Sequence, residues 1–422
     1  MPITNDNIDT PRKSRPNISP VAFPIPTPLQ ASLTRSQRRR VWSTPEASSG
    51  SPLPSLGNAY EITQYPTQEP FYNRQIERYR LLPVVRDLLP KERVSKCQRL
   101  VVGESRSVEV RRTKADGKTF YKNLLCCNSV WTCPVCSAKI STRRQVELRE
   151  AIDKAKSMNL VPYLLTVTVP HYSNQSLKTI CSIFDRAYRK MQNRPTYKRY
   201  AERIGLRGTV KALEVTVNME KEGNGWHYHR HVLMFCNANA ESPNASIILE
   251  LWRSACNTAG FSILPNEHGV SIENGERASN YVSKWGAEHE MTKSMIKKSN
   301  HGQSPWDLLR DFSETGDEDK ARLFKEYAKE FKGKKQLIWS KGLRELLGMN
   351  EEMTDEEIAE QEAERESDFV CNISMREWRF ILRHNLRGEV LREANIGGAI
   401  GVRDYLERKG YDYSYLNVGL EV

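Results

Sequence analysis

Three histidines alternate along the segment GWHYHRHVLMF, namely His227, His229 and His231, in a chain of 422 residues that contains only eight histidines. The segment predicts a β-strand, and in a strand every second side chain points to the same face. Three imidazoles would therefore converge on one side of a sheet. Because burying several neutral imidazoles without partners is costly, this spacing favours metal binding over a structural role in a core.

A carboxylate is predicted to lie beside these imidazoles. Glu214 belongs to the strand-like segment ALEVTVN, and the connecting residues EKEGNGW contain two glycines that suit a β-hairpin. A mixed site of imidazole and carboxylate with open positions suits a divalent cation that acts as a Lewis acid on a phosphate or carbonyl oxygen. The alternative is that Glu214 is a strand-edge carboxylate paired with Arg230 or a lysine.

The segment NYVSKWGAEHE predicts a helix in which Tyr281, Lys284, Trp285 and Glu288 share one face. A tyrosine displayed beside a lysine is a candidate nucleophile, because the ammonium group stabilises the phenolate. The same spacing is also typical of an apolar helix face that packs in a core, so this signal alone leaves both interpretations open.

Five of the nine cysteines lie close together in the chain, at Cys97, Cys126, Cys127, Cys133 and Cys136. An odd total is unlike the even disulfide framework of a small secreted domain, so the cluster predicts a metal site in a reducing compartment. A Cys-x2-Cys pair and two further thiolates could close a tetrahedral structural zinc site, with Cys126 and Cys127 competing for one position. A reactive cluster without metal is the alternative.

Composition restricts the class of protein. The chain has 64 Lys and Arg against 52 Asp and Glu, a net charge of +12, which is typical of proteins that bind polyanions such as nucleic acids. No apolar run is long enough to span a bilayer, and the first residues lack the layout of a signal peptide. We therefore expect a soluble, cytoplasmic protein without a membrane partner.

Four segments are predicted along the chain. Residues 1–65 are rich in Pro and Ser and predict a disordered arm. Residues 66–140 predict a helix followed by the cysteine module, and residues 141–300 a domain that contains the histidine strand. Residues 301–422 predict a mostly helical region that includes an acidic segment near 351–368.

The fold class follows from the order of elements. Strand and helix signals alternate from about 160 to 295 and include a central hairpin, which predicts an α+β fold with a mostly antiparallel sheet and helices on one face. A helix is also predicted directly after the cysteine module, with Ser141 or Thr142 as its N-cap.

Several of these segments together resemble the rolling-circle replication initiators of small bacterial plasmids and phages, within the HUH endonuclease superfamily. The matching motifs, in order, are CCNSVWTCPVCSAKISTRR, LLTVTVP, ALEVTVN, GWHYHRHVLMF, YVSKW and QLIWSKGLREL. The resemblance covers roughly residues 97–345. It implies a palm-like, ferredoxin-like catalytic sheet preceded by a zinc module.

The resemblance also implies a mechanism. His229 and His231 would hold Mg²⁺ or Mn²⁺, with Glu214 or His227 as the third ligand. Tyr281 would attack a phosphate in single-stranded or melted origin DNA, leaving a 5′-phosphotyrosine and a free 3′-OH that primes synthesis and later takes part in strand transfer. The expected partners are origin DNA and the host helicase and polymerase.

Within the cysteine module, the resemblance favours Cys127 over Cys126 as the ligand, because similar proteins carry a single Cys before Trp-x-Cys-Pro. Arg230 stands where the family usually has a hydrophobic residue, and we expect it to face solvent or DNA. Trp285 occupies the place of a second tyrosine found in some members. Glu288 or Glu276, or the tyrosine of a second protomer, would then release the strand.

Two other functions fit parts of the same pattern. A single-strand transposase or a conjugative relaxase uses the same histidine and tyrosine chemistry on different DNA. A zinc-dependent DNA-binding regulator, in which the histidines form a second structural zinc site, would have no nicking activity.

Overall fold

The histidine strand lies at the centre of a five-stranded antiparallel sheet in a computed structural model of the protein. The structure describes residues 69–103, 107–219, 223–275, 302–363 and 365–414. The predicted N-terminal arm lies outside the described residues.

The central sheet has the spatial order β6-β3-β5-β4-β7, and every neighbouring pair is antiparallel. Its strands are β3 (Leu160–Thr168), β4 (Leu206–Asn218), β5 (Gly225–Asn237), β6 (Val270–Glu273) and β7 (Leu337–Trp339). The β4–β5 hairpin places Glu214 opposite His229, and β3 places Thr166 opposite His231. The predicted α+β class with an antiparallel sheet is confirmed.

Helices cover both faces of this sheet, so the prediction of helices on one face is wrong. On one face, buried residues of β5 such as Tyr228 and Val232 share a core with Phe184 and Trp252 from two helices. The helices that bear on this face are α3 (Leu177–Asn193), α4 (Pro195–Arg203), α5 (Ala245–Ala259), α6 (Pro305–Thr315) and α7 (Glu318–Phe331).

Among the described helices, a long helix and a short helix that follows β7 pack on one end of the second face. Helix α2 (Pro134–Ser157) buries an apolar stripe that includes Leu148 and Ile152 against Leu164 and Leu233. The short helix α8 (Leu343–Leu346) adds Leu343 to the same cluster. On the same face, two residues away from this cluster, the side chains become polar: they are Thr166 of β3, Glu214 of β4 and His231 of β5. This polar half of the face holds the histidines.

Helix α2 begins earlier than predicted. Its first residue is Pro134 and its N-cap is Cys133, whose Sγ accepts the Cys136 backbone N–H at 3.4 Å. Pro134 suits the first helical position, because an N–H there would have no partner within the helix. Ser141 and Thr142 lie inside the helix, so the predicted N-cap there is wrong.

A second, three-stranded antiparallel sheet joins distant parts of the chain. Its order is β2-β1-β8, with β1 (Ser107–Thr113), β2 (Thr119–Lys122) and β8 (Ser367–Ser374). Strand β8 comes from the predicted C-terminal region, and its Cys371 pairs with Val110 of β1. The cysteine module and the C-terminal region therefore share one sheet.

The remaining helices pack near this smaller sheet or along the edge of α2. They are α1 (Glu69–Leu88), α9 (Asp355–Ala363), α10 (Met375–Arg383) and α11 (Arg387–Arg408). Among the described residues, no helix combines the length and the apolarity needed to cross a membrane.

Candidate metal centres

Glu214, His229 and His231 form a three-ligand cluster on the polar half of the sheet. The Glu214 Oε2 lies 3.2 Å from His229 Nε2 and 2.8 Å from His231 Nε2. One donor atom from each of the three side chains lies within 4.8 Å of the others. The cluster follows from strand geometry, because Glu214 lies directly across the hairpin from His229 and the two histidines alternate along β5.

The charge of Glu214 is stabilised by its surroundings. Burial alone would raise the pKa of this carboxyl group, but His229 and His231 interact with its charged form and hold the pKa well below its usual range. The pKa of His231 is lowered, chiefly by burial. The cluster therefore offers a carboxylate and a neutral imidazole, which are the forms that bind metal ions.

A contact with the Thr166 hydroxyl orients the ring of His231. Its Nδ1 lies 2.8 Å from the Thr166 hydroxyl on β3, which leaves Nε2 directed at Glu214. A hydrogen bond to one ring nitrogen fixes the tautomer and the ring plane of a metal ligand. Two imidazoles and one carboxylate with further positions open suit a divalent cation that also binds a substrate oxygen.

His227 is the third histidine of the strand, and it has different partners. Its Nε2 lies 3.0 Å from the Thr168 hydroxyl, and its ring stacks on His171 at a centroid distance of 4.7 Å. Burial, followed by the nearby His229 and His171, lowers the pKa of His227 to about 3. The structure thus groups Glu214, rather than His227, with His229 and His231, although the centroid of the His227 ring lies 4.9 Å from that of His229. The stacking of His171 on His227 was not predicted; the available signal was the position of His171 directly after LLTVTVP.

Arg230 points to the opposite face, so the expectation that it faces solvent or DNA is wrong. Its side chain is buried, and its guanidinium donates to Asp185 Oδ1 of α3 at 2.7 Å. The same group lies over the ring of Tyr188 at 4.5 Å. Alternation along β5 dictates this placement, since the residue between two ligands must point away from them. Glu214 is therefore not paired with Arg230.

A groove adjoins the metal cluster at His227. Exposed Tyr172, Ile263 and Leu264 lie among its walls. Gly225 lets the start of β5 pass close to the Tyr172 loop, because a Cβ there would lie 2.8 Å from the Ser173 Cα. The groove therefore presents apolar side chains and an imidazole pair immediately beside the cluster.

The second cluster consists of four buried thiols, from Cys97, Cys127, Cys133 and Cys136. The Sγ atoms of Cys97 and Cys136 are 3.5 Å apart, those of Cys97 and Cys133 3.6 Å, and those of Cys127 and Cys136 3.8 Å. A zinc ion with Zn–S bonds of about 2.3 Å gives a tetrahedron whose edge is about 3.8 Å. The four thiols therefore fit a closed tetrahedral zinc site.

Cys126 is not one of these four. It is partly exposed, and its Sγ accepts a hydrogen bond from Gln98 Nε2 at 3.3 Å. The Cys127 backbone N–H lies 3.3 Å from Cys97 Sγ and can stabilise a thiolate there. The structure therefore groups Cys127, rather than its neighbour, with the other three cysteines.

The predicted nucleophile and its neighbours lie outside the described residues; they are Tyr281, Lys284, Trp285 and Glu288, together with Glu276. The described chain stops at Gly275, shortly after β6, whose Ser271 pairs with Thr166. It resumes at Gly302, where the next residue, Gln303, pairs with Val217 of β4. Both ends of this gap therefore adjoin the sheet that carries Glu214, His229 and His231.

Comparison with known proteins identifies the family. Residues 117–385, well over half of the chain, match the model of the replication protein family, and the chain belongs to that family. The matched span contains both clusters except for Cys97. No solved structure matches the chain significantly.

Two relatives come from Streptomyces. The "Protein rep" of Streptomyces lividans is 24% identical over 306 residues, which cover 56% of this chain and 66% of the relative. The "Neomycin resistance protein" of Streptomyces cyanogenus is 26% identical over 151 residues, which cover 30% of this chain and 34% of the relative. The chain thus spans just under two thirds of the first relative and about a third of the second.

Proposed function

We propose that this protein is a metal-dependent endonuclease of the HUH type that nicks the origin of a plasmid and starts rolling-circle replication. The observation that carries the proposal is the cluster of Glu214, His229 and His231 on the polar half of one face of an antiparallel sheet. Membership of the replication protein family and similarity to a relative named "Protein rep" support a role in replication.

The two histidines and Glu214 would hold Mg²⁺ or Mn²⁺. When bound, such an ion supplies a Lewis acid that polarises the scissile phosphate. Glu214 brings the negative charge, and Thr166 keeps the His231 ring in the ligand orientation. A DNA strand would lie along the adjoining groove, beside the cluster.

Tyr281 would be the nucleophile. Its hydroxyl oxygen bonds to the phosphorus, the bond from phosphorus to the 3′ oxygen breaks, and the proton of the phenol ends on the departing 3′ oxygen. Lys284 would stabilise the phenolate as it forms, and Glu288 would activate the water or hydroxyl that later releases the strand. The products are a 5′-phosphotyrosine and a 3′-OH that a host polymerase extends after a host helicase opens the duplex.

The four-cysteine cluster would hold a structural Zn²⁺. Its four buried thiols leave no ligand position for a substrate, which distinguishes it from the open cluster on the sheet.

The experiment is incubation of the full chain with supercoiled plasmid carrying its own origin, in Mn²⁺, followed by detection of protein covalently attached to nicked DNA. We expect the adduct in the native protein and none in Tyr281→Phe, with DNA binding retained. Replacing His229 and His231 by Ala should abolish cleavage, whereas Asp153→Ala, at an exposed position of α2, should preserve it. An adduct that persists in Tyr281→Phe would refute the assignment of the nucleophile.

The same experiment separates the other two functions. A transposase or relaxase would nick at element ends or at a transfer origin rather than at the replication origin. A regulator without catalysis would bind two zinc ions tightly and leave the plasmid uncut, which would overturn the proposed function.

A further inference from the structure

Helix α10 presents a row of arginines on its outer face. Arg376, Arg379 and Arg383 are all exposed, and their spacing of three and four residues places them on one side of the helix. The row extends over about 10 Å of helix axis. The three side chains border a single groove, closed on its other side by the turn at Gly410–Asp412.

The opposite face of α10 is firmly anchored. Trp378 is 1% exposed, and its indole Nε1 donates to the Arg99 carbonyl at 3.0 Å. Ile381 is fully buried, and a capping box between Ser374 and Glu377 fixes the start of the helix. The orientation of the arginine row is therefore set by packing rather than by the arginines themselves.

Two arginines of the row, Arg379 and Arg383, carry positive charge that no carboxylate neutralises within the described part of the chain. Asp412 is the nearest acid of the groove, and hydrogen bonds from Ser414, followed by the charge of Arg376, lower its pKa. The carboxylate of Glu377 accepts hydrogen bonds from the Ser374 N–H and the Tyr413 hydroxyl, at 2.7 Å each. Among the described residues, the charges of Arg379 and Arg383 are thus not neutralised by an ion pair.

We propose that the outer face of α10 binds the phosphate backbone of duplex DNA, at a site distinct from the nick site. Guanidinium groups match phosphate geometry and stay charged at every physiological pH. The face belongs to a helix that follows β8 of the three-stranded sheet, whereas the metal cluster lies on the five-stranded sheet. Binding of duplex DNA at this face would not require the nicking reaction.

The neighbouring rings favour a duplex over a single strand. Single-strand binding uses exposed aromatic faces on which bases stack. Tyr411 is only 7% exposed, and Phe380 is half-buried against His384, at a centroid distance of 4.3 Å. Among the described residues that line it, the groove therefore offers charges for phosphates but no fully exposed aromatic ring for a base. This pattern is typical of a contact that positions DNA without reading its sequence.

The test is fluorescence anisotropy of the full-length protein with a labelled 30-base-pair duplex of arbitrary sequence, at several salt concentrations. The variant carries Arg376→Gln, Arg379→Gln and Arg383→Gln. Each lost phosphate contact reduces the slope of log K against log salt by about 0.9, so the triple variant should lose about 2.7 and bind at least about tenfold more weakly. A triple change to Lys should keep most of the slope.

A charge-matched control excludes an effect of net charge. Arg80, Arg93 and Arg322 are exposed and ion-paired elsewhere, and changing all three to Gln should leave the slope nearly unchanged. The double variant Arg379→Gln and Arg383→Gln breaks no ion pair in the described structure and should lose about 1.8 of the slope. Equal losses in control and test variants, or an unchanged slope in both test variants, would overturn the proposal. Loss of duplex binding with origin nicking of a single-stranded oligonucleotide intact would support it.

Discussion

The Thr166 hydroxyl lies 2.8 Å from His231 Nδ1, while Nε2 of the same ring lies 2.8 Å from Glu214. The imidazole is thus held between a neighbouring strand on one side and the candidate metal position on the other. Thr166 pairs directly with His231 in the β3–β5 ladder, so the backbone register delivers this contact.

Replacing Thr166 by Val should weaken Mn²⁺ binding by about 10- to 100-fold, because the His231 ring loses the partner that fixes its orientation. Isothermal titration of the metal-depleted protein measures the change. Thr166→Ser keeps the hydroxyl and should bind nearly as the native protein does. Equal affinities in the Val and Ser variants would contradict a role for this hydroxyl.

The third metal ligand can be identified by comparing two variants. Glu214→Ala should abolish measurable Mn²⁺ binding, because the cluster loses its only carboxylate. His227→Ala should retain most of the affinity, since its Nε2 contacts Thr168 instead of Glu214. Electron paramagnetic resonance of bound Mn²⁺ reports both. A protein that binds Mn²⁺ without Glu214 but not without His227 would reverse the assignment.

Cys127→Ser should cost the protein its zinc and part of its stability, because binding to a structural zinc site contributes directly to folding free energy. Cys126→Ser should keep the metal, since Cys126 is not one of the four clustered thiols. Elemental analysis and thermal unfolding of both variants provide the measurements. Zinc loss in the Cys126 variant alone would show that the neighbouring cysteine is the ligand.

Asp185→Asn should lower the free energy of unfolding by about 1–3 kcal/mol, because the buried guanidinium of Arg230 loses its charged acceptor. Chemical denaturation measures this loss. Asp153→Asn, at an exposed position of α2, should change stability by less than about 0.5 kcal/mol. Mn²⁺ binding should survive in both variants, since Arg230 lies on the other face from the ligands. A loss of metal binding in Asp185→Asn would show that the two faces are coupled.

Much of the site could be predicted because it depends on local periodicity. Alternation within β5 brings His229 and His231 to one face, and the short hairpin brings Glu214 to the same place. The spacing of the Cys-x2-Cys pair similarly restricts where two thiols can lie. The antiparallel sheet follows from the same strand and turn signals, and the structure confirms it.

The features that sequence analysis missed depend on contacts between distant elements. The second helical layer forms because α2 packs on Leu164 of the next strand and also on Leu233 of the distant β5. The true start of α2 depends on Cys133 acting as a cap. Arg230 is a charged residue that a sequence pattern places in solvent, but Asp185 of α3 and the ring of Tyr188 make its burial favourable. His171, which follows β3 in the chain, stacks on His227 only because β3 lies beside β5.

The pairing of Val110 with Cys371 makes the smaller sheet a late product of synthesis. When β1 and β2 leave the ribosome they form only a two-stranded hairpin, which has little stability in isolation. The third strand emerges after the entire five-stranded sheet has been translated. The two sheets thus differ in the loops that must close during folding. The most distant pairing of the larger sheet joins Val210 to Trp339, whereas the smaller sheet must join Val110 to Cys371 across a much longer loop. A chain interrupted before β8 would leave one side of β1 open to pairing with other molecules.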